Sequence, residues 1–468
     1  MPDNPSEMLA RRVLACLPYQ PDDEQMLLIA GLSRFIAEPR PQSAFLLRGY
    51  AGTGKTSIVG AFVKALTFIG AKTILLAPTG RAAHVMSDYA GHTAFTIHRR
   101  IYRQQRYGSE AFLLAENKHT DTLFIVDEAS MIANGSADSS AFGTGRLLDD
   151  LIGYVYSGEG CRLLLVGDNA QLPPVGQTES PAMNAATLQG YGLSVMEMTL
   201  RRPARQAADS AILYNATLLR QAMETDITAS PRLRLDIAPD LTTIDGGELI
   251  DQIDTCYNRD TPRQTIIITR SNYRATQFNL GIRNQILYRE ELLSAGDMLL
   301  VAKNNYYWSR DNDAVDFIAN GDVAVVRRVR GDIERVYGLQ FATVVLTFPD
   351  HDDAEMEVKV IVDTLLSDAP ALTREQQERL YAGVMAEIEG DQRARIAALK
   401  NHDYYNALQV KFGYAVTCHK AQGGQWDQVF IDMGGIAPEA TTTLDYHRWL
   451  YTALTRARRH VYLINYLK

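Results

Sequence analysis

SAFLLRGYAGTGKTSIVGAFVKAL, residues 43–66, passes from an apolar run through a glycine-rich turn into an amphipathic stretch. An unbroken apolar run of this length suits a strand buried on both faces, and the stretch after the turn has helical spacing. Between them, Gly49-Tyr50-Ala51-Gly52-Thr53-Gly54-Lys55-Thr56 fits the spacing GxxxxGK[ST]. Glycines at 49, 52 and 54 let the backbone curl, so that the N–H groups around Ala51 and Thr53 face phosphate oxygens at a helix N-terminus. Lys55 then reaches the terminal phosphates, and the Thr56 hydroxyl is placed to ligate Mg²⁺.

The same plan recurs outward from this stretch. KTILLAP (72–78), TLFIVDE (122–128) and CRLLLVGD (161–168) are further apolar runs, each ending in polar residues. Ligand chemistry in parallel α/β sheets gathers at the carboxyl ends of strands, so these ends are the expected site. Asp127 and Glu128 close one run. Adjacent acids point different ways, which assigns Asp127 to the metal and Glu128 to the base that activates water. Gln171, in GDNAQLPP (167–174), can accept from water and donate to a phosphate oxygen, and the prolines stiffen its loop. Positive charge against the transition state is expected from an arginine of a second body. Arg456 in YTALTRAR (451–458) is one source, and RRPAR (201–205) is the other.

A second α/β pattern starts at QTIIITRS (264–271) and returns at FGYAVTCHKAQG (412–423), QVFIDM (428–433) and HVYLINY (460–466). Between them lie β-rich stretches joined by short turns such as Asn320-Gly321-Asp322, then a charged helical stretch over about 373–400. The expected organisation is a first α/β domain over 1–200 and a second over 201–295 and 405–468, with a β-rich, barrel-like insertion at 296–404. The Gly/Ser/Ala-rich segment 133–145 reads as a loop.

The 468 residues are 46% hydrophobic and 22% charged, ordinary globular usage that excludes a disordered chain. The net charge is −8, which does not exclude nucleic acid, since binding needs a local basic track. Cys16, Cys161, Cys256 and Cys418 show no metal spacing, and the N-terminus has no long apolar core. A reducing, intracellular and cytoplasmic setting away from membranes is expected.

Taken together, these stretches resemble superfamily 1B DNA helicases of the RecD/Dda/Pif branch, in that family's motif order and over nearly the whole chain. Asp23-Glu24-Gln25 resembles the adenine-reading motif, with Gln25 as reader. GYAGTGKT is similar to motif I, LLAPTGRAA (75–83) to motif Ia, and Phe95-Thr96-Ile97-His98-Arg99 to motif Ib. DEASM (127–131) resembles motif II and GDNAQLPPVG (167–176) motif III. In the second half, TRSNYRATQFN (269–279), VTCHKAQGGQW (416–426, motif V) and YTALTRAR (motif VI) follow. Motif V discriminates most, because the Thr-x-His-Lys-x-Gln-Gly string is not shared by P-loop proteins at large.

The resemblance implies two RecA-like P-loop domains with ATP and Mg²⁺ between them, a small barrel in the second, and a pin subdomain at about 99–121. It implies a monomeric 5′→3′ translocase on single-stranded DNA and at single-strand/duplex junctions, with protein partners in repair or recombination. The implied catalytic set is Lys55, Glu128, Gln171, Arg205 and Arg456. The implied strand grip is Pro78, Thr79, Gly80, Arg81, Phe95 and His98 in the first lobe and Asn272, Thr417, His419 and Lys420 in the second. The motif IV arginine departs from the pattern: Arg201, Arg202 and Arg205 compete, and spacing to Asp209-Ser210 favours Arg205, with Arg202 second. Phe95, Tyr306 and Trp426 are either base-stacking or core aromatics. Arg99, Arg100, Arg103 and Arg106 either follow the duplex or form a solvated face. A nucleic-acid-stimulated ATPase acting as a loader or clamp, an RNA helicase, and the motor subunit of a nuclease complex are the rival readings.

Overall fold

The computed structural model describes residues 4–104, 112–135, 142–203, 209–310, 315, 317–436 and 438–466. The first lobe is built on β1 (Ser43–Gly49), β2 (Lys72–Ala77), β3 (Ala94–Thr96), β6 (Thr122–Val126), β7 (Arg162–Gly167) and β8 (Ser194–Leu200). They form a parallel sheet in the order β3-β2-β6-β7-β1-β8. β6 is buried along its whole length, as its unbroken apolar sequence requires. Apolar cores on the two faces include Phe45, Phe62 and Leu66 on one side and Leu46, Phe124 and Leu165 on the other. β4 (Tyr102–Gln104) and β5 (Phe112–Leu114) pair antiparallel within the stretch expected to form the pin.

The second lobe has a five-stranded parallel sheet. β9 (Leu241–Ile244), β10 (Thr265–Thr269), β16 (Ala415–Thr417), β17 (Trp426–Asp432) and β18 (Ala457–Ile464) run in the order β16-β10-β17-β18-β9. Between β10 and β16 the chain leaves to make a closed barrel of β11 (Met298–Val301), β12 (Val323–Val336), β13 (Leu339–Phe348), β14 (Ala354–Ile361) and β15 (Leu408–Phe412). The helices Arg374–Glu387 and Gln392–Lys400 carry Leu380, Val384 and Leu399 onto the barrel residues Leu339, Phe341 and Ile361. The fold is therefore α/β, two RecA-like parallel-sheet units with a barrel inserted in the second.

Three strands absent from the sequence expectation complete the sheets: β3, β8 and β9. β3 has three residues, and β8 reads SVMEMTL with its side chains mostly half-exposed, as an edge strand allows. β9 is another short edge strand. None offers the continuous apolar run that marks the central strands.

Among the described residues no helix is long and apolar enough to cross a membrane. The four cysteines are free, and among the described residues no cluster of three or more His, Cys, Asp or Glu side chains is arranged to hold a metal.

Candidate nucleotide site at the seam between the lobes

The strand order β6-β7-β1 sets three carboxyl ends side by side, about 4.8 Å apart in the hydrogen-bonding direction. Asp127-Glu128, Asp168–Gln171 and the loop 49–56 therefore converge although they are far apart in sequence. Gly54 stands at φ +85° before the helix Lys55–Phe68 and leaves its first N–H groups open. A Cβ there would lie 2.6 Å from Gln25 Nε2 and 2.8 Å from the Tyr19 hydroxyl, so only glycine fits. Gln25 Nε2 donates to the Thr53 carbonyl at 2.9 Å, while its Oε1 accepts from Asp22 N–H in a capping box on the helix Asp23–Ala37. Gln25 thus holds the loop and its own helix together. Lys55 Nζ folds back onto the Gly49 and Tyr50 carbonyls, the latter at 2.9 Å.

Asp127 Oδ2 accepts from the Tyr89 hydroxyl at 2.5 Å, and Oδ1 from Glu128 N–H at 2.8 Å. Glu128 is held at φ +51°, a left-handed conformation that costs a non-glycine residue energy. Burial pushes its carboxyl up. Arg456 opposes that rise and Asp127 reinforces it. Thr56 and Asp127 are hard oxygen donors, which fits Mg²⁺; that ion takes few protein ligands and keeps water and phosphate oxygens. Gln171 is buried, and its side-chain carbonyl has no hydrogen-bond partner. A buried acceptor of this kind is suited to an incoming water.

The second lobe closes the site. Its helix Leu444–Leu454 lies against the loop after β7: Leu172 N–H donates to Thr452 Oγ1 at 2.9 Å, and Gln422 Nε2 donates to the Leu172 carbonyl at 2.7 Å. Tyr451 hydroxyl accepts from Ala51 N–H at 2.8 Å and donates to Asp168 Oδ2 at 2.6 Å. Arg456 is buried, bonded to the Thr452 carbonyl at 3.2 Å, and its NH1 lies 3.9 Å from Glu128 Oε1. The helix Ala211–Thr225 covers the tip of the glycine loop, with Arg220 over the Tyr50 ring. Of the competing arginines, Arg201 and Arg202 donate their backbone N–H groups to Glu24. Arg205 lies outside the described residues, as do Arg106 and the middle of the 133–145 loop.

The residues expected to grip a strand fall into two groups. Pro78, Thr79, Gly80 and Arg81 follow β2, with Thr79 capping the helix Gly80–Ala90. Gly80 and Phe95 line a cleft of about 470 Å³ together with Phe317, Asp322 and His351 from loops of the barrel insertion. Asn272, Thr417 and Lys420 line one crevice, because β10 and β16 are neighbours. Lys420 is bonded to Asn320 of the barrel, and His419 is exposed. Two side chains are committed elsewhere. The Arg81 guanidinium lies 4.1 Å from the Trp426 ring centroid, across the seam, and burial lowers its pKa to about 10. His98 packs edge-on to Phe142, and burial lowers its pKa to about 4.

The aromatic and basic alternatives resolve in part. Trp426 is buried in the second lobe's core. Tyr306 packs against Phe112, Phe142 and Phe317. Arg99 and Arg100 both lie over Phe95, and Arg103 is exposed.

Sequence reasoning did not single out Tyr89, Asp168, Gln422, Tyr451 or Thr452. All but Tyr89 sit inside strings already read as motifs, which was the available signal.

The AAA domain family model matches residues 35–225, and the UvrD-like helicase C-terminal domain model matches residues 412–464. The first spans the glycine loop and the ends of β6 and β7, and the second carries Gln422, Tyr451 and Arg456. Together with the relatives that follow, these two matches support a superfamily 1B helicase of the RecD/Pif branch. Within that superfamily, the ATP-dependent RecD2 DNA helicase of Deinococcus radiodurans is 26% identical over 427 residues, covering 88% of this chain and 46% of the relative. The chain thus spans about half the length of that protein. The ATP-dependent DNA helicase dda of Enterobacteria phage T4 is 32% identical over 142 residues, 29% of either chain. A crystal structure of Pif1 helicase from Bacteroides with ADP-AlF3 and ssDNA aligns over 96% of this chain and 93% of that one, at 14% identity and a TM-score of 0.44.

Proposed function

We propose that the chain is an ATP-driven DNA helicase that moves 5′→3′ on single-stranded DNA. The observation that carries this reading is the composite seam: Arg456 of one lobe lies 3.9 Å from Glu128 of the other. Lys55, Thr56 and Asp127 hold the triphosphate from the first lobe, with Gln25 at the adenine end and Gln171 near the attacking water. Glu128 takes the proton from that water. Arg456 faces the developing charge, and Arg205, outside the described residues, is expected to act with it. Thr56 and Asp127 would hold a Mg²⁺ ion, which would supply charge neutralisation to the phosphates.

A nucleotide that contacts both lobes favours their closed arrangement by differential affinity, and its hydrolysis removes that preference. Each lobe grips the strand in turn through the residues after β2 and around Asn272 and Thr417. Base stacking is worth roughly 1–3 kcal/mol per base, while opening one base-pair step costs about 1.4 kcal/mol. A few transferable contacts therefore suffice to advance a junction by about one base per cycle.

Matched duplexes with a 5′ or a 3′ tail test the reading. With ATP and Mg²⁺, strand separation is expected only from the 5′ tail, and Lys55→Ala abolishes it. Stimulated ATP turnover without separation of either duplex favours the loader or clamp, and separation from the 3′ tail alone overturns the polarity.

A further inference from the structure

We propose that Tyr451 is a positioning residue whose hydroxyl locks the glycine loop to the loop after β7 when the second lobe docks. The proposal rests on the ATPase reading of the same seam. Two groups from distant parts of the chain meet at this one oxygen. Ala51 N–H, 400 residues away, donates to it at 2.8 Å; it donates in turn to Asp168 Oδ2 at 2.6 Å, across a separation of 283 residues. Asp168 Oδ1 accepts from Ala170 N–H at 2.9 Å, so the carboxylate is spent on its own loop and on Tyr451. Both Tyr451 and Asp168 are 1% exposed.

A phenol is the side chain this junction requires. It accepts from a backbone N–H and donates to a carboxylate at once, and burial beside Asp168 raises its pKa well above 10, so it keeps its proton. Packing alone does not explain the hydroxyl. A phenylalanine ring fills the same space, and a buried hydroxyl costs free energy unless its bonds are made.

The next residue extends the lock. Thr452 accepts from Leu172 N–H, and Gln422 donates to the Leu172 carbonyl, so both backbone groups of the residue after Gln171 are held by the second lobe. Docking therefore fixes two things together: the glycine loop through Ala51, and the placement of Gln171 through Asp168 and Leu172. With the lobes apart, the same groups face water and the two loops are independent. Hydrolysis is then fast only when the second lobe is seated, although nucleotide binding at the first lobe needs no tyrosine.

Tyr451→Phe keeps the ring and removes only the hydroxyl. Steady-state ATP turnover, with a saturating single-stranded oligonucleotide, is measured for the wild type, Lys55→Ala, Tyr451→Phe, Asp168→Asn and the double variant Tyr451→Phe/Asp168→Asn. The expected result is a loss in kcat of about 10- to 100-fold for Tyr451→Phe, with KM for ATP changed by less than about threefold. The double variant falls no further than Tyr451→Phe, because that substitution already removes the bond to Asp168 as well as the one to Ala51. A kcat for Tyr451→Phe within about twofold of wild type overturns the proposal, as does an effect confined to KM, or losses that multiply in the double variant. In each of those cases an active wild type and an inactive Lys55→Ala leave the ATPase reading standing. A wild type without turnover removes both.

Discussion

Replacing Arg456 with alanine removes the one cation that, among the described residues, reaches from the second lobe to Glu128. Its NH1 lies 3.9 Å from Glu128 Oε1, and the side chain is 4% exposed. A unit charge about 4 Å from the charge it faces is worth about 4 kcal/mol at an effective dielectric of 20. At about 1.4 kcal/mol per tenfold change in rate, that is close to 10³ in kcat, the lower end of the range of about 10³–10⁵ for an arginine supplied to a phosphoryl-transfer site. Turnover of ATP at saturating oligonucleotide, measured for wild type, Arg456→Ala and Arg456→Lys, checks the figure. Lysine keeps the charge but loses the planar fork that bonds Thr452 and Gly424, so it recovers part of the loss. Circular dichroism and a melting curve on each variant show that the fold is retained. A folded Arg456→Ala enzyme within about tenfold of wild type refutes the assignment.

Other expectations concern the same seam. Gly54→Ala places a methyl against Gln25 and Tyr19 in a left-handed conformation. Strain of about 1–2 kcal/mol and the lost Gln25 bond give a destabilisation of about 2–4 kcal/mol, read from urea unfolding; a change below about 0.5 kcal/mol contradicts it. Because the Glu128 carboxyl is raised, its base form is lost at a higher pH than for an ordinary carboxylate. The acid limb of kcat is therefore shifted upward, disappears in Glu128→Gln, and moves higher still in Arg456→Ala, where the opposing cation is gone; a limb at the same pH in Arg456→Ala counts against the pairing. Arg81 stacks on Trp426, so Arg81→Ala weakens lobe docking more than strand binding. Oligonucleotide affinity by fluorescence anisotropy should change less for Arg81→Ala than for Lys420→Ala, and the opposite order places Arg81 on the strand.

The central strands were legible because apolar runs such as TLFIV, bounded by polar residues, suit strands buried on both faces of a parallel sheet. The edge strands were not. Ala94–Thr96 is too short to show a period, and SVMEMTL alternates as a half-solvated edge does. At the site, Lys55, Asp127 and Arg456 could be named from their strings, whereas the bonds that join them could not. Tyr451 meets Asp168, 283 residues away in sequence, only because a helix of the second lobe docks on the loop after β7. Tyr89 belongs to no motif string, and its hydroxyl reaches Asp127 only through the crossover helix after β2. Side chains with two plausible uses, such as Arg81 and Trp426, are decided by what lies across the seam. That neighbour is a property of the packed molecule.

The most direct test of the composite seam is ATP turnover with and without a single-stranded DNA oligonucleotide, for wild type and for Lys55→Ala. The account predicts slow turnover that rises at least about tenfold with the oligonucleotide and vanishes in the variant. Turnover indifferent to the oligonucleotide, or surviving in Lys55→Ala, would contradict it.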